Sequence, residues 1–283
     1  MKSLNKTHSI LSKAGAILIN VLVWILSISC IFPVIWMIYS SLKTQKEFAL
    51  NTVSLPLHPV FENYTKAISE GNLGVYFMNS LFYTIVSVSI ALIMAFIIGY
   101  LISRFNFKGR GFVYYFFLSG MLIPIYALLI PIFLEFKKLG LLNSRITLII
   151  PYIAFALPVG VFLVESYVKS IPLEMEEAAC IDGCSFYQTL FRIILPICKP
   201  VLSTTAILNF LSTWNEFPLA LVLIRSNRLK TMPLGVTNFV GTYTVNYPLM
   251  FAALVLSALP VILIYLFFYN NVMNGMVSGA VKG

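Results

Sequence analysis

Ten acidic side chains serve all 283 residues of this sequence, and five of them stand close together: Glu165, Glu174, Glu176, Glu177 and Asp182. Clustered carboxylates can ligate a metal, share protons in acid–base chemistry, or present a charged face to a partner. Metal ligation lacks its usual co-ligands, because the only histidines are His8 and His58, far from Cys180, Cys184 and Cys198. Those cysteines, with Cys30, read as reduced, small apolar fillers. An enzyme would need a metal set, paired catalytic carboxylates or a nucleophile with its base, and none is legible. A charged docking face remains. One further acid, Glu216, stands alone in the apolar run from Pro200 to Ile224, and a carboxylate inside a membrane span is by default a functional hypothesis. The sequence has no Gly-x-x-x-x-Gly-Lys-Ser/Thr phosphate loop, so it does not bind ATP in the usual way.

The elements that must carry these residues are set by composition. Apolar residues make up 59% of the chain and charged residues 10%, against about 45–50% and about 25% in soluble domains. Charge is absent from Ala14 to Leu42, Gly71 to Ser103, Gly111 to Leu134, Ile146 to Val164 and Thr231 to Val281, each able to hold the roughly 20 apolar residues that cross a bilayer. With the Glu216 run and one span near Leu249 to Tyr269, six spans are expected. The runs are continuously apolar rather than alternating, which selects helices over barrel strands. The fold class is an all-α, multi-pass membrane protein. The first run is too long for a cleaved signal core and reads as an uncleaved first helix. Lys and Arg divide evenly between the two sides, although Lys2, Lys6 and Lys13 tilt the first helix toward a cytoplasmic N-terminus. The formal charge of +9 is spread along loop ends beside spans, which suits lipid headgroups and not nucleic acid. The largest polar segment outside the spans runs from Leu42 to Gly74 and holds Pro56, Pro59 and an amphipathic stretch, Phe61 to Ser69.

Between Glu165 and Pro200 the spacing predicts two short surface helices. Ser170 is the expected N-cap of the first, with Pro172 in its first turn, acids near its positive end and Gly183 as its stop. Ser185 and Gln188 make a capping box for the second, Phe186, Leu190 and Ile194 form its apolar face, and Pro196 ends it. A headgroup-bound pair would carry Lys and Arg. This one is acidic, so it is suited to a groove on another protein. Prolines 33, 124, 131, 151, 158, 218 and 260 fall within spans and are expected to bend them.

The run Glu177-Ala178-Ala179-Cys180-Ile181-Asp182-Gly183-Cys184, followed by Ile193, Leu195, Pro196 and Pro200, resembles the cytoplasmic EAA loop of permease subunits in bacterial ABC importers. Glu177, Ala178, Ala179, Asp182, Gly183 and Pro196 match the family pattern; Cys184 replaces the usual alanine. Leu122-Ile123-Pro124, Lys138 to Ser144, Trp214-Asn215-Glu216-Phe217 and the terminal Ser278 to Gly283 are similar to the carbohydrate-uptake, maltose-type group, and to the second of its two paired permeases. The resemblance implies a type I importer permease in the bacterial inner membrane with both termini cytoplasmic. It implies that the loop sits in a cleft of an ATPase subunit, and that the partners are a second homologous permease, two ATPase subunits holding ATP and Mg, and an extracytoplasmic sugar-binding protein. No cofactor is expected in this chain itself.

On this reading residues 1–75 form the first helix and external loop, 76–271 the permease core with its coupling loop at about 165–200, and 272–283 a cytoplasmic tail whose Gly279 and Lys282 face the ATPase. Trp214, Asn215 and Glu216 are candidates to line a sugar path; for Glu216 the stronger alternative is a buried hydrogen-bonding role between helices. The cargo expected is a di- or oligosaccharide. The rival readings are a permease for a non-sugar solute and a secondary transporter, which would use intramembrane acids as relays and of which Glu216 is the lone example.

Overall fold

The computed structural model describes residues 2–240 and 245–280, with side chains for residues 15–240 and 245–268. In chain order its helices are α1 Lys2–Ser40, α2 Gln45–Leu50, α3 Glu62–Ser69, α4 Leu73–Arg104, α5 Arg110–Gly120, α6 Ile125–Lys138, α7 Ile146–Lys169, α8 Glu174–Ile181, α9 Phe186–Gln188, α10 Leu195–Ile197, α11 Lys199–Trp214, α12 Pro218–Leu223, α13 Met232–Val236 and α14 Tyr247–Ala280. A π turn, Thr189–Ile194, joins α9 to α10. Contacts group the chain into two units: residues up to Glu70 with Phe239–Val255, and Gly71–Asn238 with the chain from Leu256 on.

Four helices among the described residues are long and apolar enough to cross a membrane, and six spans result if each of two bent pairs counts as one. The expected third span, Phe112 to Leu134, is not one helix. α5 and α6 meet at 101°, because Pro124 sits in extended conformation ahead of α6, donates no N–H and forces the residue before it out of the helical region. Neither piece, at 11 and 14 residues, spans a bilayer alone. The Glu216 run also breaks, after Trp214. Proline alone does not decide this, since Pro33, Pro131, Pro151, Pro158 and Pro260 all lie inside uninterrupted helices.

The second unit is organised on α4 against α7. A Cβ on Gly99 would stand 2.8 Å from Val164 Cγ1, and one on Gly160 2.8 Å from Ala95 Cβ, so small residues let the two backbones approach as packed membrane helices do. Two apolar clusters stabilise the unit. Phe96, Tyr100, Val164, Val168, Ile171, Leu190, Ile194 and Cys198 pack beneath the acidic segment. Tyr83, Leu148, Tyr152, Leu219, Leu223 and Leu234 form the other cluster. The loops after α6 and α12 are stitched together by Asn143, in left-handed conformation at φ 57°. Its Oδ1 accepts from the backbone N–H of Arg225 and Ser226 at 3.1 and 2.8 Å.

In the first unit the chain after α1 folds back on the end of that helix. Lys43 is fully buried, its ammonium donating to Asn51 O at 2.9 Å, and burial holds it below the usual lysine range while the Glu47 carboxylate pulls the other way. Phe48 packs on Phe251 and Tyr247. No side chain from Gly15 to Tyr39 is buried, so the apolar length of α1 is left for lipid or another chain to cover.

Candidate functional site

The acidic segment has the two-helix shape expected, with two corrections to its ends. Ser170 does not cap α8. It closes α7, its hydroxyl donating to Tyr167 O at 2.6 Å, because α7 runs on to Lys169 and α8 starts only beyond Pro172 with no side-chain cap. Pro196 does not end the second helix. The helix widens first into the π turn, where the Leu195 N–H reaches back five residues to Leu190 O, a register that tolerates the missing proline donor. The path then turns by 70° at Cys198 into α11. The capping box is present: Ser185 Oγ accepts from the Gln188 N–H, and Gln188 Oε1 accepts from the Ser185 N–H at 2.7 Å. Gly183 ends α8 at φ 80°, and the Cys184 N–H reaches back to Ala179 O at 2.9 Å, a glycine-capped helix end.

What the tip presents is mixed. Ala179 is buried, whereas Glu174, Glu177, Ala178, Asp182 and Gly183 are exposed. Leu173, Ile181 and Tyr187 stand among them at 51%, 86% and 71% exposure. An apolar patch rimmed by carboxylates is the pattern of a protein-docking surface. Pro196 is exposed but lies beyond the turn.

The segment is fastened to the core by residues that the sequence reading left without a role. Arg104, the last residue of α4, donates from Nε to Glu176 Oε1 at 2.6 Å and from Nη2 to Ile171 O at 2.8 Å. Tyr100 donates to Glu176 Oε2 at 2.7 Å. The two charged side chains are only 11% and 13% exposed, so the pair is poorly screened and charge-assisted. Glu165, buried on α7, is paired with Lys169. The available signal was the Arg that closes the second apolar run, but nothing in spacing says that it meets an acid 72 residues later.

A cavity of about 150 Å³ opens between α6, α7 and α11, lined by Tyr152, Phe155, Asn209, Ser212, Thr213 and Glu216 among others. Glu216 caps α12: Oε1 accepts from the Leu219 N–H at 2.6 Å, and Oε2 from Ala220 N–H at 3.2 Å and Tyr152 OH at 2.8 Å. Asn209, 5% exposed, has an Nδ2 with no hydrogen-bond partner among the described residues. A buried donor without a partner costs free energy and is a standing place for a polar ligand atom. Trp214 does not line this cavity; it is buried between Phe210 and Phe77, its Nε1–H donating to Ser257 O at 3.1 Å. Asn215 is exposed and closes α11, donating to Leu211 O. Of the tail residues, Lys282 lies outside the described residues, and Gly279 is described only as helical backbone. No group of three or more His, Cys, Asp or Glu able to hold a metal occurs among the described residues.

Residues 87–277 match the family described as the binding-protein-dependent transport system inner membrane component. The chain belongs to that family. The permease is 33% identical over 258 residues to the diacetylchitobiose uptake system permease protein NgcG of Streptomyces coelicolor, covering 90% of this chain and 85% of the relative. It is 34% identical over 260 residues to the sulfoquinovosyl glycerol transport system permease protein SmoH of Agrobacterium fabrum, covering 92% and 91%. Its fold matches a chain in the crystal structure of a bacterial ABC transporter involved in import of the acidic polysaccharide alginate, with TM-score 0.81, 25% identity, and 91% and 96% of the two chains covered. The permease is thus a membrane-spanning ABC importer subunit, one component of a larger machine.

Proposed function

We propose that the permease forms half of a translocation path for a di- or oligosaccharide in the bacterial inner membrane, with both termini cytoplasmic. A second, homologous permease supplies the other half, two ATPase subunits with their ATP and Mg supply the energy, and an extracytoplasmic binding protein delivers the sugar. The sugar assignment is supported by relatives named for diacetylchitobiose, arabinooligosaccharides and trehalose/maltose. The unburied length of α1 supports a second membrane partner.

The observation that carries the coupling role is the exposed tip of Glu177, Ala178, Asp182 and Gly183, held to the end of α4 through Glu176 and Arg104. A tip that docks in an ATPase cleft and is tied to α4 passes the cleft's closure to a helix that packs along α7. Nucleotide and loaded binding protein then bias one two-state bundle from its two ends. Pro196 sits where the loop path rejoins the membrane helices, and Gly279 and Lys282 are assigned to the ATPase-facing tail. Glu216 with Tyr152 and Asn209 gives the path a polar step where hydroxyl groups of a sugar can exchange hydrogen bonds; Trp214 and Asn215 brace the helix ends around it.

The test is ATP hydrolysis and uptake in the reconstituted complex with Gly183→Asp. Uptake should collapse while the membrane subunits still assemble. Unchanged uptake would remove the coupling assignment and leave Glu216 as the lead.

A further inference from the structure

We infer that the uncharged segment from residue 48 to residue 61 is a lipid-binding clamp: it lies in the headgroup layer at the end of α1, with Leu50, Val53, Leu55, Leu57 and Phe61 inserted among the lipids. The inference needs only that α1 crosses the membrane, and stands apart from the sugar and coupling assignments.

The first observation is depth. The apolar part of α1, Gly15–Ser40, is 26 residues, about 39 Å at 1.5 Å per residue, and exceeds the roughly 30 Å hydrocarbon core. Its last turns, with Trp36 and Tyr39, belong to the interfacial layer where such aromatics collect. Belt aromatics ordinarily turn their polar edges to headgroups or water. Here Trp36 Nε1 donates to Thr52 O at 2.8 Å, and Tyr39 OH donates to Val53 O at 2.7 Å. The segment's own backbone occupies the place of the headgroup. It is pinned at that level again by the Val60 N–H on Leu42 O at 2.7 Å and by Asn63 Nδ2 on Ser41 O at 2.7 Å.

The second observation is that the start of the segment is held from within. The carbonyls of Asn51, Thr52 and Val53 are taken by Lys43, Trp36 and Tyr39. The N–H groups of Val53 and Ser54 both donate to Asn51 Oδ1, and that of Leu57 to Glu47 Oε1 at 2.6 Å. Pro56 and Pro59 have none to satisfy. These bonds fix the segment's start against the end of α1.

The third observation is the surface itself. Leu50, Val53, Leu55, Leu57 and Phe61 are 89%, 62%, 70%, 81% and 68% exposed. Scattered apolar side chains are ordinary on a surface; five within twelve consecutive residues, with no charge among them, mark an interaction face. Lipid is favoured over a protein occupant because the hydrogen bonds to Trp36 and Tyr39 fix the segment at headgroup level.

The test uses the full chain in phospholipid nanodiscs with a phospholipid carrying a photoreactive diazirine in its acyl chain, followed by mass spectrometry of the cross-linked peptides. Adducts are expected within residues 48–61 as well as in the spans. In the variant Leu55→Asp/Leu57→Asp, adducts in that peptide should fall several-fold while those in the spans persist. Adducts confined to the spans overturn the inference. So does strong labelling of 48–61 by a water-soluble diazirine reagent, which would mean a wet face awaiting a protein.

Discussion

Replacing Arg104 with Gln tests the tie between the acidic tip and the membrane helices. Glu176 would keep only the Tyr100 hydroxyl, in a site where both charged partners are nearly buried, at 11% and 13% exposure with 2.6 Å between them. Breaking one side of a fully buried pair costs about 3–5 kcal/mol; discounting for the residual exposure gives about 2–3 kcal/mol here. That is a roughly 30- to 150-fold shift of the local docking equilibrium of α8 at about 1.4 kcal/mol per tenfold. Amide hydrogen exchange over Glu174–Gly183 in nanodiscs should accelerate by a factor of that order. In the reconstituted importer, uptake per ATP hydrolysed should drop. Arg104→Gln/Glu176→Gln, which removes both charges, should cost less than the sum of the single changes, because the singles leave a charge unpaired and the double does not. Exchange and coupling both unchanged in Arg104→Gln would refute the tie.

Gly183→Ala, with open space around the Cβ position but φ 80°, should lose about 1–2 kcal/mol of local stability from the left-handed backbone, read as faster exchange at the α8 end. Glu216→Ala leaves Tyr152 and the N–H groups of Leu219 and Ala220 without their acceptor and should cost about 1–3 kcal/mol of stability for each group that stays dry, read as a lower melting temperature, while Glu216→Gln keeps most of the acceptor geometry and melts closer to the parent. Gly235→Ala should be the most damaging methyl: its Cβ would fall 2.1 Å from the ring of fully buried Tyr76, an overpacking cost of about 1–3 kcal/mol or more, visible as lost expression in the membrane fraction. Asn143→Ala removes the acceptor of two backbone N–H groups and puts alanine at positive φ; a drop of about 2 kcal/mol is expected, with Asn143→Gly milder.

The fold class and the acidic two-helix tip were legible because each depends on local composition. Apolar length marks a span wherever it packs, and a Ser-x-x-Gln capping box or a glycine stop acts within four residues. Helix ends were less legible. Ser170 and Pro196 carry the right residue types for a start and a stop, but α7 runs on to Lys169 and a π turn carries the second helix through the proline. The 101° break before α6 and the continuity of α7 through two prolines show that a proline reports a missing donor, not whether neighbouring helices hold the chain straight.

The sequence by itself determined that this chain lives in a membrane, that half of its acidic residues gather in one segment, and that this segment carries the pattern of an importer's coupling loop, since hydrophobic burial and capping are fixed by neighbours in the chain. Only the tertiary structure decided what that tip is tied to and which polar groups share a cavity. Glu176 meets Arg104 and Glu216 meets Tyr152 across 72 and 64 residues, and a hydrogen bond that short depends on how α4, α7 and α11 pack, a relation that no spacing along the chain encodes.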